Sequence, residues 1–398
     1  MLRPRSRSRP APSSRGKLAP LRILCLSAEV GVGHTAAAHA LVRAIEQRYG
    51  FSVDVLDSYR FAAAPIAQAA TKGYVALVRR LPSLYRCLRH PAERAAMLGP
   101  FRAWVGRYAA RNLLRHLHGR LPERVVCTHP FACNVMTQFK QAYAPEVHIT
   151  AVITDFTVQA FWVHPSIDRY VVAHHEMKAA LVEQGVCEQQ IDVFGIPIDE
   201  RFGMLASADQ AQRLRRQLGL PLDHYVVMLM GGGLGLGPLA TLLVELGKLH
   251  LPLYVVVVAG HNKRYRAELE AYASSLPMGV KVLGFITNVH EYMQVSDLLM
   301  TKPGGLSCAE VLAAQVPTIL TAPLPGPEEA NAAYLHQHGA ALFARCMADV
   351  MQLVITVLTN PTTRLRLTQG MRQIARPEAA ATLANALCAP QRKNYSIS

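Results

Sequence analysis

Residues 296–339 read SDLLMTKPGGLSCAEVLAAQVPTILTAPLPGPEEANAAYLHQHG. An apolar run from Leu298 to Met300 is typical of a buried strand, and it leads through Lys302 into two glycines and an apolar helical pattern. A second apolar run, Thr318 to Thr321, opens into a loop rich in proline and glycine. A strand, a glycine turn, a helix and another strand in this order predict a parallel sheet covered by helices.

The same residues are suited to binding a nucleotide sugar. Gly304 and Gly305 lack a Cβ atom, so backbone N–H groups can approach a ligand closely there. The helix that begins near Leu306 would direct its positive end at an anion such as a diphosphate. Glu310, about one turn inside, could accept hydrogen bonds from two vicinal ribose hydroxyls. Three polar residues follow the second strand, where open α/β sheets bind ligands: Glu328, Glu329 and Asn331. A structural turn beside solvated acids is the alternative.

Further short motifs extend this pattern, and together they resemble the GT-B glycosyltransferases. More narrowly, the chain resembles the glycosyltransferase family 28-like branch that contains plant monogalactosyldiacylglycerol synthases and bacterial processive diacylglycerol glucosyltransferases, with the peptidoglycan lipid II synthase as a more distant relative. The resemblance covers about residues 20–385. Its other anchors are Ser27 to Gly31, Gly33 with His34 and Ala37, Thr128 to Pro130, Thr154 to Phe156, Gly195 to Pro197, Gly231 to Gly235, and Gly284 with Phe285 and Asn288.

The resemblance implies an α/β fold in which two Rossmann-like domains face each other across a cleft. It implies an inverting enzyme that moves a hexose, glucose or galactose, from a UDP-sugar to diacylglycerol and forms a β-glycosyl diacylglycerol. The residues expected at the donor are Gly231, Gly232, Gly233, Gly260, Phe285, Gly304, Gly305, Ser307, Glu310, Glu328, Glu329 and Asn331. Gly31, Gly33 and His129 are also expected to bind substrate, with His129 lining the cleft. A structural turn at His129 and Pro130 is the alternative. Pro327 stands where relatives commonly carry Gln, which leaves the identity of the hexose open.

Two residues are candidates for the base that takes the proton from the acceptor hydroxyl. His34 would begin a helix, whose dipole would disfavour the imidazolium and keep the ring neutral. Asp155 ends an apolar strand at the ligand end of the sheet, where it could act as the base, orient His34 or hold the acceptor. The sequence leaves the choice between them open, and a capping or packing role is the alternative for each.

The length of 398 residues predicts two domains. The predicted boundaries are a disordered basic tail at 1–20, an acceptor-side domain at 21–198, a UDP-sugar domain at 199–376, and at 377–398 a C-terminal helix and tail that return to the first domain. The tail at 1–20 could be a membrane tether, a transit peptide or a solvated segment. Two series of strands alternating with helices predict one parallel sheet in each domain.

The net charge of +15 is concentrated in two segments. Residues 1–20 and 72–124 together hold eighteen basic and two acidic residues, whereas the rest of the chain holds twenty-four and twenty-five. Within the second segment, residues 101–118 predict an amphipathic helix with an apolar stripe at Phe101, Val105, Ala109, Leu113 and Leu117.

This helix is expected to contact an anionic membrane surface, because basic and aromatic side chains alternate along it. The residues expected at the membrane are Trp104, Arg107, Arg111 and Arg115. A helix packed on the sheet with a solvated arginine face is the alternative. Nucleic acid is not an expected partner, because no nucleic-acid-binding motif accompanies the arginines.

No metal or other cofactor is expected, since the chain has no D-x-D pair to hold a divalent ion against the diphosphate. Helix dipoles and backbone amides are predicted to neutralise the leaving group instead. The eight cysteines form no C-x-x-C pair, so neither a zinc ribbon nor a disulfide framework is predicted. The most apolar stretch, Tyr225 to Val244, is interrupted by glycines and Pro238 and predicts a buried strand, loop and helix rather than a membrane span. The expected location is cytoplasmic, peripheral on the inner face of the membrane.

Three other functions fit parts of the pattern. One is transfer of N-acetylglucosamine to a polyprenyl-linked peptidoglycan precursor, which differs in the acceptor lipid. Another is a UDP-sugar 2-epimerase, which would have little use for the basic aromatic helix. The last is a protein that binds a nucleotide sugar or a lipid surface without turnover.

Overall fold

The structure is a computed structural model that describes residues 22–29, 32–63, 91–233, 235 and 237–389. The side chains of Val32 and of residues 91–98 are not described. The predictions for residues 1–20, for Gly31 and for the last part of the C-terminal tail fall outside these ranges.

The first half of the chain forms a six-stranded parallel sheet. Its strands are β1 (Ile23–Ser27), β2 (Asp54–Asp57), β3 (Arg124–Cys127), β4 (His148–Val152), β5 (Arg169–Val171) and β6 (Ile191–Asp192). They lie in the order β2-β1-β3-β4-β5-β6. The strand order reverses between β1 and β3, and in open α/β sheets ligands bind at the carboxyl ends of the strands beside such a switch point.

The second half forms another six-stranded parallel sheet. Its strands are β7 (Tyr225–Met230), β8 (Leu253–Val258), β9 (Gly279–Leu283), β10 (Leu298–Thr301), β11 (Thr318–Leu320) and β12 (Leu342–Phe343). Their order, β12-β11-β10-β7-β8-β9, is that of a doubly wound sheet with its switch point between β7 and β10. The predicted α/β class with two Rossmann-like domains is therefore confirmed, whereas the two-residue strand β12 was not predicted.

Helices cover both sheets. The helices of the first half are α1 (Val32–Tyr49), α2 (Pro91–His116), α3 (Pro130–Ala142) and α4 (His175–Glu183). Those that follow are α5 (Ala208–Gln217), α6 (Leu239–Leu246), α7 (Lys263–Ala273), α8 (Val289–Val295), α9 (Gly305–Ala314), α10 (Pro327–Gln337), α11 (Met347–Thr359), α12 (Pro361–Ile374) and α13 (Ala379–Cys388). Short 3₁₀ turns occur at Ser58–Phe61, Ala160–Trp162, Glu188–Gln190 and Glu200–Gly203.

The strands are buried because their sequences are nearly continuous apolar runs, as expected for parallel strands covered on both faces. Strand β7, YVVMLM, is buried at five of its six residues and pairs with both β8 and β10. The stretch Tyr225 to Val244 is thus a strand, a glycine turn and helix α6, as predicted.

The last helix, α13, packs against the first domain. Its apolar residues Leu383 and Leu387 belong to one hydrophobic cluster with Leu41 of α1 and Cys25 of β1. The second domain also meets the first through aromatic rings, since Tyr334 of α10 stacks on His174 with ring centroids 3.8 Å apart. The exact domain boundaries stay a prediction.

Candidate active site

The two histidines predicted at the substrate lie at the switch point of the first sheet. His34 is in the first turn of α1, which follows β1, and His129 follows β3. Their rings meet edge to face with centroids 4.7 Å apart. The strand order therefore brings together two residues that the sequence separates by most of a domain.

His34 is held by its Nδ1 atom. Nδ1 lies 2.9 Å from the carbonyl oxygen of Thr128 and 2.7 Å from Oγ1 of Thr154. Since a carbonyl oxygen can only accept, Nδ1 carries the proton and donates it, and Nε2 carries the lone pair. Nε2 makes no hydrogen bond to any residue within the described ranges. The fixed tautomer thus leaves a basic nitrogen free.

The surroundings of His34 also favour its neutral form. Burial lowers the pKa of His34 below its ordinary value, while the neighbouring carboxylate of Asp155 and the Thr128 carbonyl raise it by less. The start of α1 adds a positive dipole end that opposes protonation further. A ring that is neutral at pH 7 and has an unpaired nitrogen can accept a proton.

His129 has a structural role as the N-cap of α3. Its Nδ1 accepts a hydrogen bond from the backbone N–H of Phe131 at 3.0 Å, which caps α3. Burial and then the neighbouring His34 lower the pKa of His129 well below its ordinary value. The ring therefore packs as a neutral cap beside His34 and Tyr59.

Asp155 lies at the contact between the two domains. Its Oδ1 accepts a hydrogen bond from Nδ2 of Asn331 at 3.0 Å. Asn331 is fully buried, and its amide also accepts from the N–H of Phe156 and donates to the carbonyl of Pro303. In this structure Asn331, predicted to read the sugar, joins β4 of the first domain to the glycine turn of the second.

Gly305 is a glycine because the other domain approaches it. A Cβ atom there would lie 2.0 Å from the carbonyl oxygen of Thr154 and 2.8 Å from Oδ1 of Asp155. Gly304 differs, since a Cβ added to it would meet no atom within 4 Å. The close approach predicted for the glycine pair is therefore made at Gly305 by protein.

The base candidate and the predicted diphosphate site face each other. A Cβ added to Gly33 would lie 3.6 Å from Cβ of Leu306, which is in the first turn of α9. His34, the next residue, therefore lies close to the N-terminal turn of α9, which also contains Ser307. Proton acceptance at His34 and charge stabilisation at α9 can occur on one substrate.

The carboxyl group of Glu310, on α9, has a raised pKa. Burial, and secondarily the charge of Asp199, raise the pKa of Glu310 to about 8. The carboxyl makes no hydrogen bond to the described residues, so its oxygens are available to a ligand such as a ribose diol. A strongly perturbed, unpartnered acid in a cleft is typical of a functional site.

Glu328 and Glu329 are both engaged by the protein. Glu328 accepts from Lys302 Nζ at 2.9 Å through Oε1 and from the Leu324 N–H at 2.7 Å through Oε2. Glu329 accepts from the N–H of Gly326 at the start of α10. Sequence reasoning did not single out Lys302 as a site residue, although its place directly after β10 and before two glycines was a signal.

The glycine turn after β7 is packed against the turn after β8. Gly260 has φ +62°, and a Cβ there would lie 2.5 Å from the carbonyl oxygen of Gly233. A Cβ on Gly232, which has φ +70°, would meet no atom within 4 Å. Gly260 is therefore required by turn packing, whereas Gly232 has open space on its Cβ side.

Phe285 is half exposed and stacks on His261, with ring centroids 4.1 Å apart and an angle of 15° between the rings. Phe285 is therefore not a core residue. An exposed flat pair at the ends of β8 and β9 suits a planar base such as the uracil of a UDP-sugar.

The basic helix exposes aromatic rings on α2. Phe101, Trp104 and Tyr108 are 54%, 52% and 45% exposed, and successive rings stack at 6.1 and 6.5 Å. The predicted apolar stripe is exposed at Phe101 and buried further along, because residues four apart drift around a helix of 3.6 residues per turn. The residues of that stripe that are buried are Val105, Ala109 and Leu113. The arginines on the exposed part of the helix are Arg107, Arg111 and Arg115.

Three common kinds of feature are absent from the described residues: membrane-spanning helices, metal-binding clusters and disulfides. None of their helices is long and apolar enough to cross a membrane. They contain no group of three or more His, Cys, Asp or Glu side chains arranged to hold a metal ion. Their cysteines are free, and the buried ones are Cys25, Cys127, Cys133 and Cys308.

The sequence matches two known families. Residues 34–198 match the monogalactosyldiacylglycerol (MGDG) synthase family, and residues 239–374 match the glycosyl transferases group 1. A processive diacylglycerol beta-glucosyltransferase of Bacillus cytotoxicus is 28% identical over 368 residues, which are 92% of this chain and 93% of that protein.

Solved structures share the fold. The MurG structure of Acinetobacter baumannii has a TM-score of 0.61 at 17% identity, covering 92% of this chain and 99% of that one. The UDP-GlcNAc 2-epimerase of Neisseria meningitidis, bound to UDP-GlcNAc, has a TM-score of 0.59 at 11% identity with the same coverage, 92% and 99%. At these identities the likeness concerns the two-domain architecture alone.

Proposed function

Because the chain belongs to the GT-B glycosyltransferases of the branch that contains the monogalactosyldiacylglycerol synthases, we propose that it transfers a hexose from a UDP-sugar to diacylglycerol. The hydroxyl oxygen of diacylglycerol attacks the anomeric carbon of the sugar. The bond from that carbon to the β-phosphate oxygen breaks, its electron pair leaves with UDP, and the hydroxyl proton passes to a base. Inversion of an α-linked UDP-hexose gives a β-glycosyl diacylglycerol.

One juxtaposition carries the proposal. Nδ1 of His34 is fixed by Thr128 and Thr154, and its Nε2 has no hydrogen-bond partner among the described residues. A Cβ atom added to Gly33, the residue before it, would lie 3.6 Å from Cβ of Leu306 in the first turn of α9. A hydroxyl deprotonated by His34 would therefore lie close to a diphosphate held at that helix terminus. Asp155 supports the imidazolium that forms, because its negative charge favours the protonated ring.

The donor lies along the carboxyl ends of the second sheet in this proposal. Backbone N–H groups at the N-terminus of α9 and in the Gly231 to Gly233 turn neutralise the diphosphate. Glu310 accepts the ribose hydroxyls, and Phe285 stacks near the base. These groups provide the charge stabilisation that a metal provides in other transferases, so we propose catalysis without one.

The acceptor is reached from a membrane surface. The exposed aromatic rings and arginines of α2 form the membrane face, which we define as Phe101, Trp104, Arg107, Tyr108, Arg111 and Arg115. Aromatic rings suit the interfacial region, and each arginine near an anionic surface adds about 1 kcal/mol. We propose that the enzyme binds peripherally to the inner face of the membrane, where the leaflet is negatively charged.

UDP release tests the reaction. Purified protein is mixed with UDP-glucose, UDP-galactose or UDP-GlcNAc, with and without anionic vesicles that contain diacylglycerol. UDP release that depends on diacylglycerol is expected with one of the two hexoses, and it identifies the sugar at the same time. The same assay in EDTA should give an unchanged rate, and a loss of activity restored by magnesium would contradict catalysis without a metal.

The other outcomes separate the alternatives. Conversion of UDP-GlcNAc without lipid would indicate a 2-epimerase. Release of UDP with a polyprenyl-linked acceptor and not with diacylglycerol would indicate a peptidoglycan enzyme. UDP binding without turnover on any donor and lipid would indicate a protein that senses its ligands.

A further inference from the structure

Lys302 and Glu328 form a mostly buried ion pair at the edge of the donor site. Their side chains are 12% and 16% exposed, and Nζ lies 2.9 Å from Oε1. The second oxygen of Glu328 accepts from the Leu324 N–H at 2.7 Å. Removing a charge pair from water is costly, so such a pair is weak evidence of a role in stability. Its position calls for another explanation.

The pair lies between the two glycine turns of the second sheet. Lys302 directly follows β10, and Glu328 is in the first turn of α10. A Cβ added to Gly237, in the turn after β7, would lie 3.8 Å from Cδ and Cγ of Lys302. The stem of Lys302 thus lies beside Gly237, in the same turn after β7 that carries Gly231 to Gly233, the residues proposed to hold the diphosphate.

We propose that Lys302 and Glu328 exchange partners when the donor binds, an inference that rests on the proposed function. In the empty site each neutralises the other. When a UDP-sugar is bound, Nζ of Lys302 binds the β-phosphate, and Glu328 is released to accept hydrogen bonds from hydroxyls of the sugar. Lys302 then stabilises the charge that stays on the β-phosphate oxygen as the bond to the anomeric carbon breaks.

This exchange explains why the sugar-reading acid is paired at all. A buried carboxylate without a partner destabilises the fold. Lys302 pairs with Glu328 and orients it until the diphosphate supplies a competing anion. Binding of the two halves of the donor is thereby coupled. The diphosphate attracts Lys302 away from Glu328, and the sugar hydroxyls take the place of Lys302 as partners of Glu328.

Binding of UMP, UDP and UDP-hexose to the intact protein tests the exchange without needing an acceptor. Isothermal titration calorimetry would compare wild type with Lys302→Met, Lys302→Arg, Glu328→Gln and the double variant Lys302→Met/Glu328→Gln. Lys302→Met should weaken UDP binding about tenfold or more but change UMP binding less than about twofold, because UMP lacks the β-phosphate. Lys302→Arg should restore most of the UDP affinity.

Glu328→Gln should act in the opposite way. It frees Lys302, so UDP binding should be unchanged or tighter, while the difference in affinity between UDP-hexose and UDP should be lost. If Lys302→Met does not fold, the double variant, which leaves no unpaired charge, serves in its place and should show the same loss for UDP. Melting temperatures of all variants are measured alongside.

Two results would overturn the exchange while leaving the proposed function intact. One is wild-type UDP affinity in Lys302→Met and in the double variant. The other is an equal loss of UMP and UDP affinity, which would show that the pair only supports the fold. A wild-type protein that binds no uridine nucleotide would instead contradict the proposed function itself.

Discussion

Asn331, on α10, donates a hydrogen bond from Nδ2 to Oδ1 of Asp155 at 3.0 Å, and this bond joins the two domains. The same amide donates to the carbonyl of Pro303 and accepts from the N–H of Phe156. A single side chain therefore connects the strand end that carries the second base candidate to the glycine turn of the donor domain.

Replacing Asn331 should weaken this connection strongly. Asn331→Ala leaves two buried backbone groups, the Phe156 N–H and the Pro303 carbonyl, and the half-buried Asp155 carboxylate without their partner. Each buried group left unpaired costs about 1–3 kcal/mol. We expect a loss of at least about 2 kcal/mol in the free energy of unfolding, measured by urea denaturation. Asn385→Ala is the matched control, because within the described residues the Asn385 side chain accepts one exposed hydrogen bond, from Tyr49. This change should alter stability by less than about 0.5 kcal/mol. Equal effects of the two changes would contradict a central role for Asn331.

The glycine pair gives a second test of the domain contact. Gly305→Ala would place a methyl group 2.0 Å from the carbonyl oxygen of Thr154, a backbone atom that cannot yield without moving the domains. We expect a lower melting temperature and a larger radius of gyration, measured by calorimetry and X-ray scattering, although alanine favours a helix by about 1 kcal/mol. Gly304→Ala, where the added methyl group meets no atom within 4 Å, should keep its melting temperature within about 2 °C. A stabilised Gly305→Ala would show that the domains are not held in contact there.

The sequence was sufficient for the parts of the fold that depend on local pattern. Residues that are adjacent in the chain were enough to predict strand β10, the glycine turn and helix α9. They were also enough to place His34 near the start of α1. Strand β12 consists only of Leu342 and Phe343, which is too short to show a repeating pattern of apolar residues. It forms because β11 lies beside it.

Contacts between distant residues could not be predicted. Asn331 and Asp155 are 176 residues apart, and nothing in either segment indicates their hydrogen bond. Gly305 was explained by a ligand because the approach of Thr154 is a property of the assembled domains. Lys302 was not predicted as a site residue for the same reason, because its ion pair depends on where Glu328 lies in the folded chain.

The membrane face can be tested by vesicle sedimentation. Neutralising three arginines, Arg107→Gln/Arg111→Gln/Arg115→Gln, should remove about 3 kcal/mol of binding to anionic vesicles, roughly a hundredfold in partitioning. A matched control removes three exposed arginines from the second domain, Arg213→Gln/Arg216→Gln/Arg366→Gln, and should reduce binding far less. Trp104→Ala, compared with Tyr272→Ala, tests the aromatic part in the same way. Equal losses in the two triple variants would show a general charge effect and no defined face.

Glu310 makes UDP binding depend on pH. Its pKa of about 8 means that the carboxyl is protonated in the empty site at neutral pH, whereas accepting two ribose hydroxyls favours the carboxylate. Affinity for UDP should therefore rise as the pH is raised toward 8, with release of a proton at pH 7, measured by calorimetry in buffers of different ionisation enthalpy. Glu310→Gln should abolish this part of the pH dependence and keep the part due to the phosphates of UDP. Glu268→Gln, an exposed acid on α7, should behave as wild type, and an unchanged profile in Glu310→Gln would remove Glu310 from the ribose site.

The pH profile of transfer separates the two base candidates. Because burial lowers the pKa of His34 below 6.5, the ring is already neutral at pH 7, and kcat/KM should fall only when the pH drops through this lowered value. His34→Gln should reduce kcat by about 10²–10⁴-fold with UDP affinity within about twofold of wild type, and the residual activity should lack the acid limb. His250→Gln, an exposed histidine, should leave both rate and profile unchanged. Asp155→Asn keeps the hydrogen bond from Asn331 but removes the charge that raises the pKa of His34, so it should shift the limb to lower pH. If the fall of kcat/KM at low pH disappears in Asp155→Asn and remains in His34→Gln, Asp155 is the base and His34 only positions the acceptor.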